Sequence, residues 1–189
     1  MRYHGPRMRA QQIFARAIKT VRIMWGALTF SCVLLGLMTV MVPSPVADAP
    51  DGSFVAMFAG LALAVAIASF VLPARIYATN VAQVRAEKVE PEPTASGPGA
   101  ARFAHPEQEA GRAMGIAFTT FIMSMALSEA VALLGFVLHM RGAPMTISSA
   151  FIAAGALLQV ARFPSIPRLI GPYERAQGAS FAASEGGSY

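Results

Sequence analysis

Residues 114–138 read MGIAFTTFIMSMALSEAVALLGFVL, a run of 25 with a single charge, Glu129. A helix needs about 20 apolar residues to cross the hydrocarbon core of a bilayer. This run is long enough, and its composition fits lipid better than the interior of a soluble domain. A carboxylate inside such a helix is expensive, so it faces a partner group or an ion path. The run therefore decides two things together: a membrane helix, and a polar site at residue 129.

Three further stretches lack charge: Ile23–Pro43, Gly52–Ala74 and Gly142–Ala161. Of the 189 residues, 55% are hydrophobic and 13% charged, with a mean hydropathy of +0.52. Those values belong to an integral membrane protein. Lipid offers backbone groups no partners, so the spans are expected as helices. The predicted class is all-α, with four transmembrane helices at 23–43, 54–73, 114–138 and 145–162.

The net charge of +5 comes from 15 Lys and Arg. Residues 1–22 carry six of them, Arg2, Arg7, Arg9, Arg16, Lys19 and Arg22. The 74–113 loop carries Arg75, Arg85, Lys88, Arg102 and Arg112, and the 163–189 tail with Arg162 carries three. Only Arg141 falls in the other connections. The positive-inside rule then predicts both termini and the 74–113 loop on the cytoplasmic side of a multi-pass protein of the bacterial inner-membrane type. This topology accounts for the basic balance, and no nucleic-acid partner is expected.

Residues 1–22 are expected as a basic cytoplasmic or interfacial segment. Ala10, Ile13, Phe14, Ala17, Ile18 and Val21 recur at helical spacing. Two readings stay open: a helix on the inner surface, and an extension of the first span. The first span also has a signal-like flank, with Ala47-Asp48-Ala49 after it, but its apolar run exceeds an ordinary signal core and it reads as retained. Pro43 and Pro45 stop it. Residues 90–106, EPEPTASGPGAARFAHP, read as a flexible linker. Residues 176–189 read as a disordered end of the tail. Cys32 stands alone, so no intrachain disulfide forms.

The second apolar run contains Gly60, Ala62, Ala64, Ala66 and Ala68, a small residue at every second position. A step of two turns a helix by about 200°, so Gly60, Ala64 and Ala68 share one face and Ala62 and Ala66 nearly the opposite one. Small residues four apart let helices approach closely in lipid. Ordinary packing within the four-helix unit is the alternative reading of this stripe.

Stripe and carboxylate together resemble the proteolipid c subunit of rotary ATP synthases. The resemblance covers residues 54–138. The small-residue helix of that family is matched by Gly60–Ala68. Its carboxylate helix is matched by Thr119-Thr120, by Ala126-Leu-Ser128-Glu129-Ala130-Val-Ala132 and by Gly135-Phe-Val137. The resemblance implies a central antiparallel hairpin and a proton exchanged at Glu129 within a homo-oligomer. Its site neighbours would be Ala62, Ala64, Ala66, Ala126, Ser128 and Leu134, with Gly60, Ala64 and Ala68 as packing positions. Leu134 stands where the family has a tyrosine, and the loop is about forty residues instead of short. In the family an arginine on a separate membrane subunit opposes the carboxylate. Arg162, at the inner boundary of the fourth span, is this chain's only candidate, so a partner subunit is expected to supply that base.

Among other polar residues, Ser124, Ser128, Thr119 and Thr120 are each expected to bond a carbonyl four residues back on their own helix. Gln159 is expected to bond a neighbouring helix, and His139 to sit at the outer interface. No cofactor or metal is called for. There is no phosphate loop, no HExxH and no Ser/His/Asp spacing, so no catalysis is expected from the chain alone. Two other functions remain open. One is a non-transporting scaffold or assembly protein in which Glu129 bonds another helix; the other is a small channel or transporter.

Overall fold

In the computed structural model the described residues form five helices and one short antiparallel strand pair. The structure describes residues 6–43, 50–89 and 101–181. The Ala47–Ala49 signal-like site, the linker over 90–100 and the tail end over 182–189 lie outside the described residues. The elements are α1 (Pro6–Met41), α2 (Gly52–Ala82), β1 (Lys88–Val89), β2 (Arg102–Phe103), α3 (Pro106–Met140), α4 (Met145–Val160) and α5 (Ile166–Gln177).

Among the described residues three helical segments are long and apolar enough to cross a membrane: Ala10–Met41, Gly52–Ala82 and Pro106–Met140. They are compatible with a multi-pass membrane protein. α4 is equally apolar but has 16 residues. Only 11% of the apolar window of α1 and of α2 is buried, against 44% in α3. Phe30, Leu34, Leu61, Leu63 and Ile67 are among the large side chains left outward. In water such a surface would drive aggregation; in lipid it is matched.

The chain divides into two compact units. The first comprises residues 1–21, 76–119 and 164–189. Its core is Val81, Phe103, Ala113, Tyr173 and Ala179, with Tyr77, Ile116 and Phe181 packed around it. The Phe14 and Phe181 rings meet edge to face at 5.1 Å, and Phe103 and Phe181 lie 4.4 Å apart. β1 and β2 pair antiparallel, with Lys88 opposite Phe103 and Val89 opposite Arg102. The linker reading of 90–106 thus ends at a strand, whose Phe103 is buried in this core.

The 163–189 region also holds a helix, α5, that the sequence reading places in a tail. Two of its breaker-like residues, Pro167 and Gly178, sit where a helix tolerates them, while Pro172 lies inside it. Pro167 lies in the first turn, where no intrahelical N–H is needed. Gly178 ends the helix in the left-handed conformation at φ 61°, with the Ala179 amide donating to the Glu174 carbonyl. Leu169, Ile170, Tyr173 and Gln177 form the buried face. Gln177 donates to the Val81 and Val84 carbonyls at 3.2 and 3.0 Å, satisfying groups at the open end of α2. The Tyr173 hydroxyl donates to Glu109, which also pairs with Arg112 at 3.1 Å. Burial, and then the Glu109 carboxylate, push the Tyr173 phenol above its ordinary range.

The second unit comprises Arg22–Arg75 and Thr120–Phe163. Here α3 and α4 form an antiparallel pair across a tight turn at Gly142, φ 85°. They approach so closely that two glycines are required. A Cβ on Gly155 would lie 2.8 Å from the Ala132 nitrogen and 2.9 Å from the Ser128 carbonyl oxygen. One on Gly135 would lie 2.6 Å from the Ser148 carbonyl oxygen. Cys32 of α1 packs with Ala132 and Ile152.

Candidate functional site

The second unit carries the polar side chains singled out in the sequence, and it arranges them as two ties between helices. The first is at Glu129. The side chain is half-buried, and Ser31 of α1 donates its hydroxyl to Oε1. Ser31 and Glu129 are 98 positions apart, so nothing local brings them together. α1 does so by setting its Trp25, Cys32 and Gly36 side against α4 and α3. The Trp25 indole donates to the Gln159 carbonyl at 2.9 Å, Cys32 packs on Ala132, and a Cβ on Gly36 would lie 3.8 Å from the Ile152 side chain.

The second tie is at Arg162, two residues beyond α4. Pro73 lacks an N–H, so the Ser69 carbonyl four residues earlier on α2 loses its usual helical partner. Arg162 supplies a donor there instead, with Nη2 at 3.1 Å from the Ser69 carbonyl and 2.7 Å from its hydroxyl. Nη1 donates to the Ser124 carbonyl at 2.9 Å and to the Ser128 hydroxyl. The guanidinium also lies 4.2 Å from the centre of the Phe70 ring. One planar fork thus joins α2, α3 and the end of α4, a geometry that suits arginine and not lysine.

Arg162 follows the end of α4, and its guanidinium reaches Ser128, the residue beside Glu129 on α3. Its hydrogen bonds among the described residues run to neutral oxygens of Ser69, Ser124 and Ser128. The sequence hides this because reach depends on side-chain direction, and the pull is a carbonyl freed by a proline 89 positions earlier. A proline inside an apolar helix is the one signal that could have pointed to a donor.

The other expected residues fall as follows. Ser128 is fully buried and donates to the Ser124 carbonyl at 2.8 Å, four residues back. Thr119 makes the same kind of bond to Gly115 at 3.1 Å. Ala126 is exposed and Leu134 half-buried. Ala62 is buried, Ala66 and Ala68 half-buried, and Gly60 and Ala64 exposed, with open space at Gly60. His139 bonds the Val42 carbonyl through Nε2 at 2.8 Å.

Gln159 was expected to bond a neighbouring helix. Its backbone carbonyl does, but its side chain is fully buried, with neither Oε1 nor Nε2 partnered among the described residues. An unpartnered buried polar group costs roughly 1–3 kcal/mol. Among the described residues no cluster of three His, Cys, Asp or Glu could hold a metal. A scan against protein-family models finds no match, and searches of curated proteins and of solved structures find none either.

Proposed function

We propose that this chain is a four-span membrane subunit that acts by helix–helix association, as a scaffold or assembly protein, with Glu129 as a hydrogen-bonding residue. The observation that carries this reading is the Ser31–Glu129 bond. The carboxylate has a partner from α1 of its own chain, a helix outside the region resembling the c subunit. A group engaged by a neighbouring helix ties the fold; one that exchanges ions needs a way out of that bond. The outward apolar faces of α1 and α2 leave room for lipid or partner helices. In this reading both termini and the 74–113 loop are cytoplasmic, and α4 with the residues after it forms the fourth, short span.

A specific observation favours the second reading, a c-like proton-exchanging subunit. The Gly60–Ala64 face of α2 is open within the single chain, as a ring of identical copies would require. A partner subunit would then oppose Glu129 with a basic residue.

Native mass in mild detergent separates the two. A monomer or small complex is expected, and a ring of many copies would favour proton exchange. Proton flux through the complete native complex in vesicles gives a second measure. Equal flux in wild type and Glu129→Gln fits the scaffold; a flux that Glu129→Gln abolishes overturns it.

A further inference from the structure

We propose that Gln159 and Thr29 bind water inside the second unit, at the seam between α1 and α4. Three observations place the site. Gln159 is fully buried on α4, with both ends of its amide unpartnered among the described residues. The Thr29 hydroxyl oxygen on α1 is also buried and unpartnered. The Trp25 indole bonds the Gln159 backbone at 2.9 Å, and Thr29 lies one turn further along α1 on the same side as Trp25. The two orphaned groups therefore share one seam at neighbouring levels.

The chemistry selects the ligand. The amide presents one acceptor and two N–H donors, and a hydroxyl can do either. Water matches that mixture. A bare cation does not, because the amide nitrogen can only donate. An apolar guest would leave every group unsatisfied, and buried polar groups are bonded to protein or water in the great majority of structures. Lipid cannot supply the missing partner. Buried water commonly makes about three bonds to such groups. The inference holds whether Glu129 ties helices or exchanges protons, because it concerns the α1–α4 seam and not the carboxylate.

A double-mutant cycle on the full chain in lipid nanodiscs tests it. Gln159→Met keeps length without polar groups, and Thr29→Val keeps shape without the hydroxyl. If water bridges the pair, each variant lowers the melting temperature, and the double variant falls by clearly less than the sum. If the seam is dry, Gln159→Met raises the melting temperature by removing an orphan, and the two effects add; either result overturns the proposal. Should a variant fail to fold, an experimental structure of the wild type fine enough to show ordered water decides. Density within hydrogen-bonding distance of the Gln159 amide upholds the site, and its absence around well-ordered side chains overturns it.

Discussion

Arg162 shows how one residue can repair the defect made by another. Pro73 strips the Ser69 carbonyl of its helical donor, and the guanidinium takes that role while holding Ser124 and Ser128 of α3. Arg162→Leu is therefore expected to destabilise the protein by about 2–4 kcal/mol, since it orphans several acceptors away from water. Pro73→Ala restores an N–H to the Ser69 carbonyl, so the cost of Arg162→Leu should be smaller in that background. Thermal unfolding of the four variants in detergent measures the coupling; equal costs in both backgrounds would show that the proline does not set the arginine's role. Ser31→Ala should cost about 1–3 kcal/mol, because Glu129 then loses its donor from α1. Glu129→Gln retains an acceptor for Ser31 and should cost less than Ser31→Ala in the same assay.

At the scale of elements, glycine position separates contacts inside the chain from faces left outside it. Gly155→Val places carbon against backbone atoms of Ser128 and Ala132 and should lower stability by about 1–3 kcal/mol or more. Gly60→Val meets nothing within the chain and should leave the monomer's melting temperature near wild type. If it nonetheless disperses the native assembly, another copy or partner covers that face of α2. The start of α2 depends on Asp51, whose carboxylate accepts from the Phe54 amide at 2.7 Å and the Ser53 hydroxyl at 2.8 Å. Those bonds, the Phe54 amide foremost, hold its carboxyl below the ordinary range. A depressed carboxyl contributes stability above its unfolded value of 3.8, and that contribution is lost as pH falls through the lower folded value. The protection factor of the Phe54 amide, its exchange measured against the intrinsic rate at each pH, should fall with acidification over that window, and Asp51→Ala should show low protection at every pH.

The whole molecule poses a question of orientation. The distribution of Lys and Arg predicts residues 44–51 and 141–144 outside, and the termini and the 74–113 loop inside. In a Cys32→Ala background, cysteines at Asp48 and Ser96 should react with an impermeant reagent from opposite faces of sealed vesicles. Reaction of both from one face would remove the central hairpin and the c-subunit resemblance that depends on it. The first unit adds a packed element to what looks like loop and tail in the sequence. Its Phe103 comes from β2, and its Tyr173 and Phe181 from α5 and the residues just after it; their rings lie 4.4–6.4 Å apart.

The apolar runs by themselves determine the helical class and the membrane-compatible spans. A 3.6-residue repeat in lipid satisfies its own backbone, so no distant residue is needed to decide it. Glu129 is visible in the same way, as the single charge in residues 114–138. Tertiary structure alone decides what meets that charge. Ser31 reaches it because α1 packs on α3 and α4, and Arg162 reaches Ser128 of α3 while it also bonds the Ser69 carbonyl of α2. α5 is likewise hidden, since its prolines and glycines are helix breakers in isolation. Pro167 and Gly178 become permissible in the first turn and at the C-cap, and the interior Pro172 is carried by packing, with Tyr173 buried against Val81 and Phe103. Local composition governs which segments are helical, because backbone hydrogen bonding is local. Partners of buried polar groups are set by packing between segments far apart in the chain, and a linear reading does not contain those distances.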